Sequence, residues 1–97
     1  MSAEETARAH ILITGKVQGV GFRAFAQYEG VNLGLTGWVS NVGYDEVECV
    51  VEGARPALEA FIESLRRGPR TGRVEHLGVE WLPASHEFTS LKIRASR

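Results

Sequence analysis

The run Gly15-Lys16-Val17-Gln18-Gly19-Val20-Gly21-Phe22-Arg23 holds the residue types best suited to chemistry in this 97-residue chain. Three glycines separate an apolar, strand-like stretch (residues 11–14) from an amphipathic, helix-like one (residues 22–33), and an arginine sits in the first turn of the second. A strand that feeds a helix through such a loop aims several main-chain N–H groups outward, together with the positive end of the helix dipole. With the Arg23 guanidinium in the same turn, the place suits a small tetrahedral dianion such as a phosphoryl group. Three glycines and an arginine thus read as a phosphate cradle.

The elements that must position this cradle follow from hydrophobic period. Residues 9–14 alternate, with Ile11 and Ile13 on one face and His10, Leu12 and Thr14 on the other, which predicts a strand. Phe22, Phe25, Ala26, Gly30 and Leu33 keep helical spacing, and Gly34 stands where a helix commonly stops. Gly30 is awkward inside a helix, at about 1 kcal/mol relative to alanine, and is read as a mark of close packing on the sheet. Residues 36–40 and 47–52 predict a hairpin around a turn at 42–46, with Val47, Cys49 and Val51 sharing a face. Residues 55–67 form the clearest helix: Pro56 in its first turn, an apolar stripe of Leu58, Phe61, Ile62 and Leu65, Arg66 and Arg67 near its negative end, then Gly68-Pro69. Residues 73–81 predict a strand with Leu77, Val79 and Trp81 inward, and residues 88–94 a short final one.

That order, β-α-β-β-α-β plus a C-terminal strand, implies an α+β, ferredoxin-like sandwich: an antiparallel sheet with both helices on one face. A right-handed β-α-β crossover makes the first two strands run the same way, so the glycine loop and the strand end at Asn41 emerge on one edge. With one strand between them they lie roughly 10 Å apart, about the gap that a phosphoryl group and an attacking water would occupy between an arginine and an amide.

Bulk properties set the outer limits. Ninety-seven residues support one core, and the division expected is a loose tail at 1–7 and a single domain at 8–97. A hydrophobic content of 43% and a charged content of 24% are ordinary globular values. The net charge of −1 argues against a general nucleic-acid binder, and the sheet shows no clustered exposed aromatics of the RNA-recognition kind. Met1 to Ala7 lacks the basic and apolar regions of a signal peptide, and no apolar run approaches the ~18 residues needed to cross a bilayer. The single cysteine, Cys49, cannot form an internal disulfide and reads as a small core residue in a reducing, cytoplasmic setting. His10, His76 and His86 have no ligand spacing, so no metal is expected. Gly19-x-Gly21-x-x-Ala24 fits the loose dinucleotide fingerprint, but no acidic residue clearly ends the second strand and the chain is too short for a doubly wound domain. No Gly-Lys-[Ser/Thr] follows the loop, which excludes a nucleotide P-loop. Trp38 and Trp81 read as packing residues, while Lys16 either adds positive potential to the cradle or is solvated.

Two long stretches then carry a resemblance. Residues 15–23 resemble the acylphosphatase signature G-[RK]-V-Q-G-V-x-[FW]-R, and Gly34-Leu35-Thr36-Gly37-Trp38-Val39-Ser40-Asn41 resembles that family's G-x-x-G-W-V-x-N. Val51-Glu52-Gly53, the end of the second helix at Pro69, and Phe88 with Ile93 are also similar, so the likeness covers residues 8–94. It implies hydrolysis of a small-molecule acyl phosphate to a carboxylate and inorganic phosphate, with no metal, cofactor or covalent intermediate; a monomer is the default expectation. It further implies that Arg23 and the main-chain N–H groups of Gln18, Gly19, Val20, Gly21 and Phe22 grip the phosphate, while Asn41 orients the water. Inorganic phosphate would then inhibit by occupying the same cradle. The chemistry agrees, because phosphoryl transfer with a good leaving group depends on positioning and electrostatics. Asparagine is no conventional base, so a substrate phosphate oxygen is the proton acceptor that such a site needs. The chain departs from the family in its turn, Tyr44-Asp45-Glu46 in place of a glycine-containing one, which would put Asp45 in the left-handed region. The competing reading is a binding module that senses a phosphorylated metabolite without turnover, which would need the grip of Arg23 but not Asn41.

Overall fold

The computed structural model describes residues 5–96, and five strands and two helices alternate along them: β1 (Thr6–Lys16), α1 (Phe22–Asn32), β2 (Thr36–Val42), β3 (Glu46–Ala54), α2 (Arg55–Arg67), β4 (Arg73–Pro83) and β5 (Leu91–Ile93). They form one sheet in the order β4-β1-β3-β2-β5. The inward row of β1 (Ala9, Ile11, Ile13) and of β3 (Val47, Cys49, Val51) is fully buried, together with Val39 of β2, Leu58, Phe61 and Leu65 of α2, and Ala26 of α1. Period-2 patterning in the strands and period-3.6 patterning in the helices therefore meet in one apolar layer.

Local chemistry sets the helix limits. At the end of α1 Gly34, at φ 76°, donates its N–H to the Val31 carbonyl, and Leu35 donates to Gly30. That pair of bonds is a Schellman closure, which needs a residue tolerant of positive φ. Gly30 is a packing glycine, as its place in the sequence suggested: a Cβ there would lie 2.3 Å from Leu91 Cδ2 and 3.3 Å from Phe61 Cε1. Its absence lets α1 sit down on β5 and α2.

The ferredoxin-like plan expected from the element order is the one adopted, with three differences. Strand β5 pairs parallel to β2, at Gly37–Leu91, Trp38–Lys92 and Val39–Ile93, so the sheet is mixed, not wholly antiparallel. The other pairings are antiparallel, which makes β4 run opposite to β1 and β2. A single traverse across the sheet end after β4 reverses the chain once more and brings β5 back alongside β2. This strand is also shorter than residues 88–94, because Phe88 lies in the traverse under the Arg8 guanidinium, 5.1 Å from its ring centre. The tail expected at 1–7 ends earlier: Thr6 and Ala7 pair with Ala54 and Gly53, and the Arg55 N–H donates to the Glu5 carbonyl at 2.8 Å. Residues 1–4 lie outside the described part.

At the sheet end that carries the 15–23 loop, the turn between β2 and β3 corrects another expectation. Gly43, at φ 60°, takes the left-handed position, and Asp45 does not; among the described residues His86 is the one non-glycine with positive φ. The turn thus places its conformational demand on a residue without a Cβ.

Candidate active site

The 17–21 segment leaves β1 at Lys16 and enters α1 at Phe22 without a regular hydrogen-bond pattern. Gly19 and Gly21 both have left-handed φ values (71° and 77°), and a Cβ on either would meet no atom within 4 Å. Space therefore does not require glycine at these positions; the backbone conformation does. Gly19 and Gly21 flank Val20, which is not left-handed, and such an alternation turns successive N–H groups to one side, the geometry of an anion-holding concavity. Among the described residues, the N–H groups of Gln18, Gly19, Val20 and Gly21 meet no main-chain carbonyl. Helix α1 adds to the same field, since Gly21 supplies no side-chain cap and no acidic residue occupies the first turn.

Arg23 is half-buried one residue into that helix. Its Nη1 donates to the Arg94 carbonyl oxygen at 3.1 Å, and no described carboxylate pairs with it. The guanidinium is thus oriented by a neutral acceptor and keeps its charge for another partner. The residues just beyond β5 are in turn fixed to β2, by the Arg94 N–H to the Val39 carbonyl (2.8 Å) and by Ser40 Oγ–H to the Ala95 carbonyl (2.9 Å).

Asn41 comes from β2, with β3 lying between β2 and β1. Its Oδ1 is buried and meets no hydrogen-bond donor among the described residues. A buried acceptor that no protein donor reaches is left for water or ligand to satisfy. Val17, Gly19, Gly21, Phe22, Arg23, Ala24, Asn41 and Ile93 line one cleft of about 230 Å³. Loop, guanidinium and carboxamide therefore face a common space.

Two of the residues singled out from sequence do not line the cleft. Val20 packs against the apolar core, and its carbonyl accepts a hydrogen bond from Thr71 Oγ at 2.9 Å. Gln18 sends its side chain sideways: Nε2 lies 3.2 Å from the Val42 carbonyl oxygen, 3.1 Å from Gly43 and 2.9 Å from Glu46. The Phe22 ring is also in the core, which leaves its main chain as the part at the cleft. Three contributors were not read from the sequence: the Gln18 side chain, the Arg94 carbonyl and Ile93. The alternation of Leu91, Lys92 and Ile93 could have put Ile93 on the inward face, but nothing local says that β5 borders β2.

A larger cleft, about 320 Å³, runs between α2 and β4, lined by Arg55, Glu59, Ile62, Glu63, Arg66, Val79 and Trp81. Its charges are already used: Arg55 Nε pairs with Glu59 at 2.9 Å and stacks on Trp81 at 3.7 Å, and Arg66 pairs with Glu63 at 3.4 Å. The smaller cleft has the unpaired donors and acceptor, and chemistry outweighs size. Cys49 stays out of reach of either cleft, since burial pushes its thiol up to about 12 and it is a core residue. Among the described residues no group of three or more His, Cys, Asp or Glu side chains is placed to hold a metal ion, and no helix is long and apolar enough to cross a membrane.

Comparison with known proteins bears on the same residues. The acylphosphatase family model matches residues 9–93. An acylphosphatase of Salinibacter ruber is 44% identical over 87 residues, which is 90% of this chain and 92% of that protein. One from Thermus thermophilus is 50% identical over 70 residues, 72% of this chain and 80% of that protein. The crystal structure of acylphosphatase from Bacillus subtilis superposes with a TM-score of 0.88 at 33% identity, covering 91% of this chain and 98% of that one.

Proposed function

The chain belongs to the acylphosphatase family of hydrolases, and from that premise we propose how its own residues carry out acyl phosphate hydrolysis. The main-chain N–H groups of residues 18–22 and the Arg23 guanidinium hold the three non-bridging phosphoryl oxygens. Asn41 Oδ1 accepts a hydrogen bond from a water and aims its oxygen at phosphorus. The new water O–P bond forms as the P–O bond to the acyl group breaks, and the carboxylate leaves with the bonding pair. The water's proton passes to a phosphoryl oxygen of the substrate, so the site needs no protein base, metal or cofactor. Charge spreads over the equatorial oxygens in the transition state, where prearranged donors stabilise it most.

The observation that carries this reading is the shared cleft: unused N–H donors and an unneutralised guanidinium on one wall, an unpartnered buried acceptor on the other. Sensing alone would require the first wall but gives no reason to maintain the second. Loop, guanidinium and carboxamide of a single chain make both walls of the cleft, and a monomer is the active form of this proposal. The buried, unreactive Cys49 suits a cytoplasmic setting.

The test is hydrolysis of acetyl phosphate or benzoyl phosphate in excess chelator and in ¹⁸O-labelled water. The label should appear in inorganic phosphate and not in the carboxylate, with phosphate itself inhibiting competitively. Asn41→Ala should lower kcat about 100-fold while the phosphate inhibition constant changes by less than about threefold. Full turnover in Asn41→Ala, or label in the carboxylate, would overturn the assignment.

A further inference from the structure

Resting on the reading above, we propose that the Gln18 side chain is a positioning residue that ties the anion-holding loop to the Asn41 strand end and thereby sets the distance between phosphorus and the attacking water. The two walls of the cleft come from segments distant in sequence, with β3 between their strands, and Gln18 reaches carbonyls 24 or more residues on. The Gln18 carboxamide bridges them directly. Its Nε2 faces three carbonyl oxygens, of Val42, Gly43 and Glu46, at 2.9–3.2 Å. Three acceptors at one point leave no choice of amide orientation, since Oε1 turned that way would meet oxygen on all sides. Val42 directly follows Asn41, so the bridge ends one residue from the carboxamide that holds the water.

The loop needs such a bridge. Gly19 and Gly21 have no side chains to pack, and a Cβ on either would point into open space. Their left-handed conformation creates the concavity but does not stiffen it. On its other side the loop is held by Thr71 through the Val20 carbonyl, which fastens it to the segment before β4 and not to Asn41. The Gly15 N–H, donating to the Asp45 carbonyl at 3.1 Å, ties the end of β1 to the same turn but lies before the loop. Within the loop, Gln18 is the residue whose side chain spans both walls. In-line displacement tolerates little error, and a misplacement of about 1 Å costs on the order of 100-fold in rate.

Two substitutions separate positioning from simple support. Gln18→Met keeps the length and removes both donors. Gln18→Lys supplies three donors for three carbonyls. With acetyl phosphate as substrate, Q18M should lose about 10- to 100-fold in kcat, while the inhibition constant for inorganic phosphate stays within about threefold. Q18K should recover at least about a tenth of wild-type kcat. A merely structural role would lower the melting temperature and leave kcat per folded molecule unchanged. The proposal fails if Q18M keeps kcat within about twofold, if phosphate affinity falls in step with kcat, or if Q18K is no better than Q18M. Amide hydrogen exchange judges the bridge without ligand or turnover: in Q18M the hydrogen-bonded amides of Gly15 and of the Val42–Glu46 pairing, which the bridge braces, should exchange faster. Should the wild-type chain not hydrolyse acetyl phosphate, the proposed function falls, and unchanged exchange in Q18M separately removes the bridge.

Discussion

At one end of the sheet the Glu52 carboxylate, almost wholly buried, accepts hydrogen bonds from Arg8 Nε (2.7 Å), the Ser85 N–H (2.8 Å) and hydroxyl (3.0 Å), and the His86 N–H (2.9 Å). At the other end Asn41 Oδ1 is buried with no donor, the 18–21 amides have no main-chain acceptor, and Arg23 has no carboxylate. Glu52 stands opposite Thr36 at the start of β2, and Asn41 stands at its finish, so one strand connects the two regimes. The Glu52 end fastens the traverse between β4 and β5, and even holds His86 in the left-handed region at φ 60°. That traverse delivers β5, and with it the Arg94 carbonyl that orients Arg23. Polar satisfaction at one end thus supports polar availability at the other. Satisfied polar groups and available ones lie at opposite ends of the same strands.

Removing the free charge should have the largest effect. Arg23→Ala should lower kcat/KM by about 1,000-fold or more, since a cation facing a transferring phosphoryl group is worth that much. Phosphate inhibition should weaken as well, because the guanidinium grips ground state and transition state alike. Folding stability should change by less than about 0.5 kcal/mol, as Arg23 has one neutral hydrogen bond to lose. A loss of stability comparable to the loss of activity would mean that this end, too, is structural.

Glu52→Ala probes the opposite end and should show the opposite signature. Burial pushes the Glu52 carboxyl upward, but the Ser85 N–H, the Arg8 guanidinium, the His86 N–H and the Ser85 hydroxyl outweigh it and hold the group at about 2, below the ordinary 4.5. A depressed carboxyl contributes stability that is fully present above its unfolded-state value and is lost as pH falls through the folded one. The gap corresponds to about 3 kcal/mol, gained above pH ~4.5 and surrendered between there and pH ~2. Glu52→Ala should therefore be about 3 kcal/mol less stable at pH 7 in denaturant titrations, with the two curves converging as pH drops toward 2. Turnover per folded molecule at pH 7 should fall by less than about threefold, since only the placement of the Arg94 carbonyl behind Arg23 is loosened. A difference that stayed constant with pH would show that packing, not the carboxylate, was lost.

The two ends were not equally readable. Arg23, the glycine loop and Asn41 stand in contiguous motifs, and the right-handed crossover brings them to one edge, so local pattern and one topological rule suffice. Glu52 gives no such signal: between Val51 and Gly53 it occupies an outward strand position, where a solvated carboxylate is ordinary. Its partners lie 44 residues away at Arg8 and 33 at Ser85, and periodicity carries no information about pairs at that separation. The parallel placement of β5 was hidden for the same reason, since it depends on how residues 84–90 cross the sheet end. Gln18 was legible as a loop residue, but the direction of its carboxamide depends on a hairpin that forms more than 20 residues later.

The hairpin turn offers the smallest test and concerns strain at the reactive end. The sequence placed the left-handed residue at Asp45; the structure places it at Gly43, with φ 60°. The two locations make opposite forecasts for a glycine exchange. Were Asp45 strained, Asp45→Gly would stabilise by relieving it. With Gly43 in that role, Asp45→Gly should instead cost about 0.5 kcal/mol through added freedom in the unfolded chain. Gly43→Ala should cost about 1 kcal/mol, because a Cβ there meets no atom within 4 Å and only the backbone penalty remains. Both shifts are measurable as denaturation midpoints. Because the Gly43 carbonyl is one of the three that receive Gln18, any fall in kcat of Gly43→Ala beyond its stability loss would tie the turn's geometry to the spacing of the site.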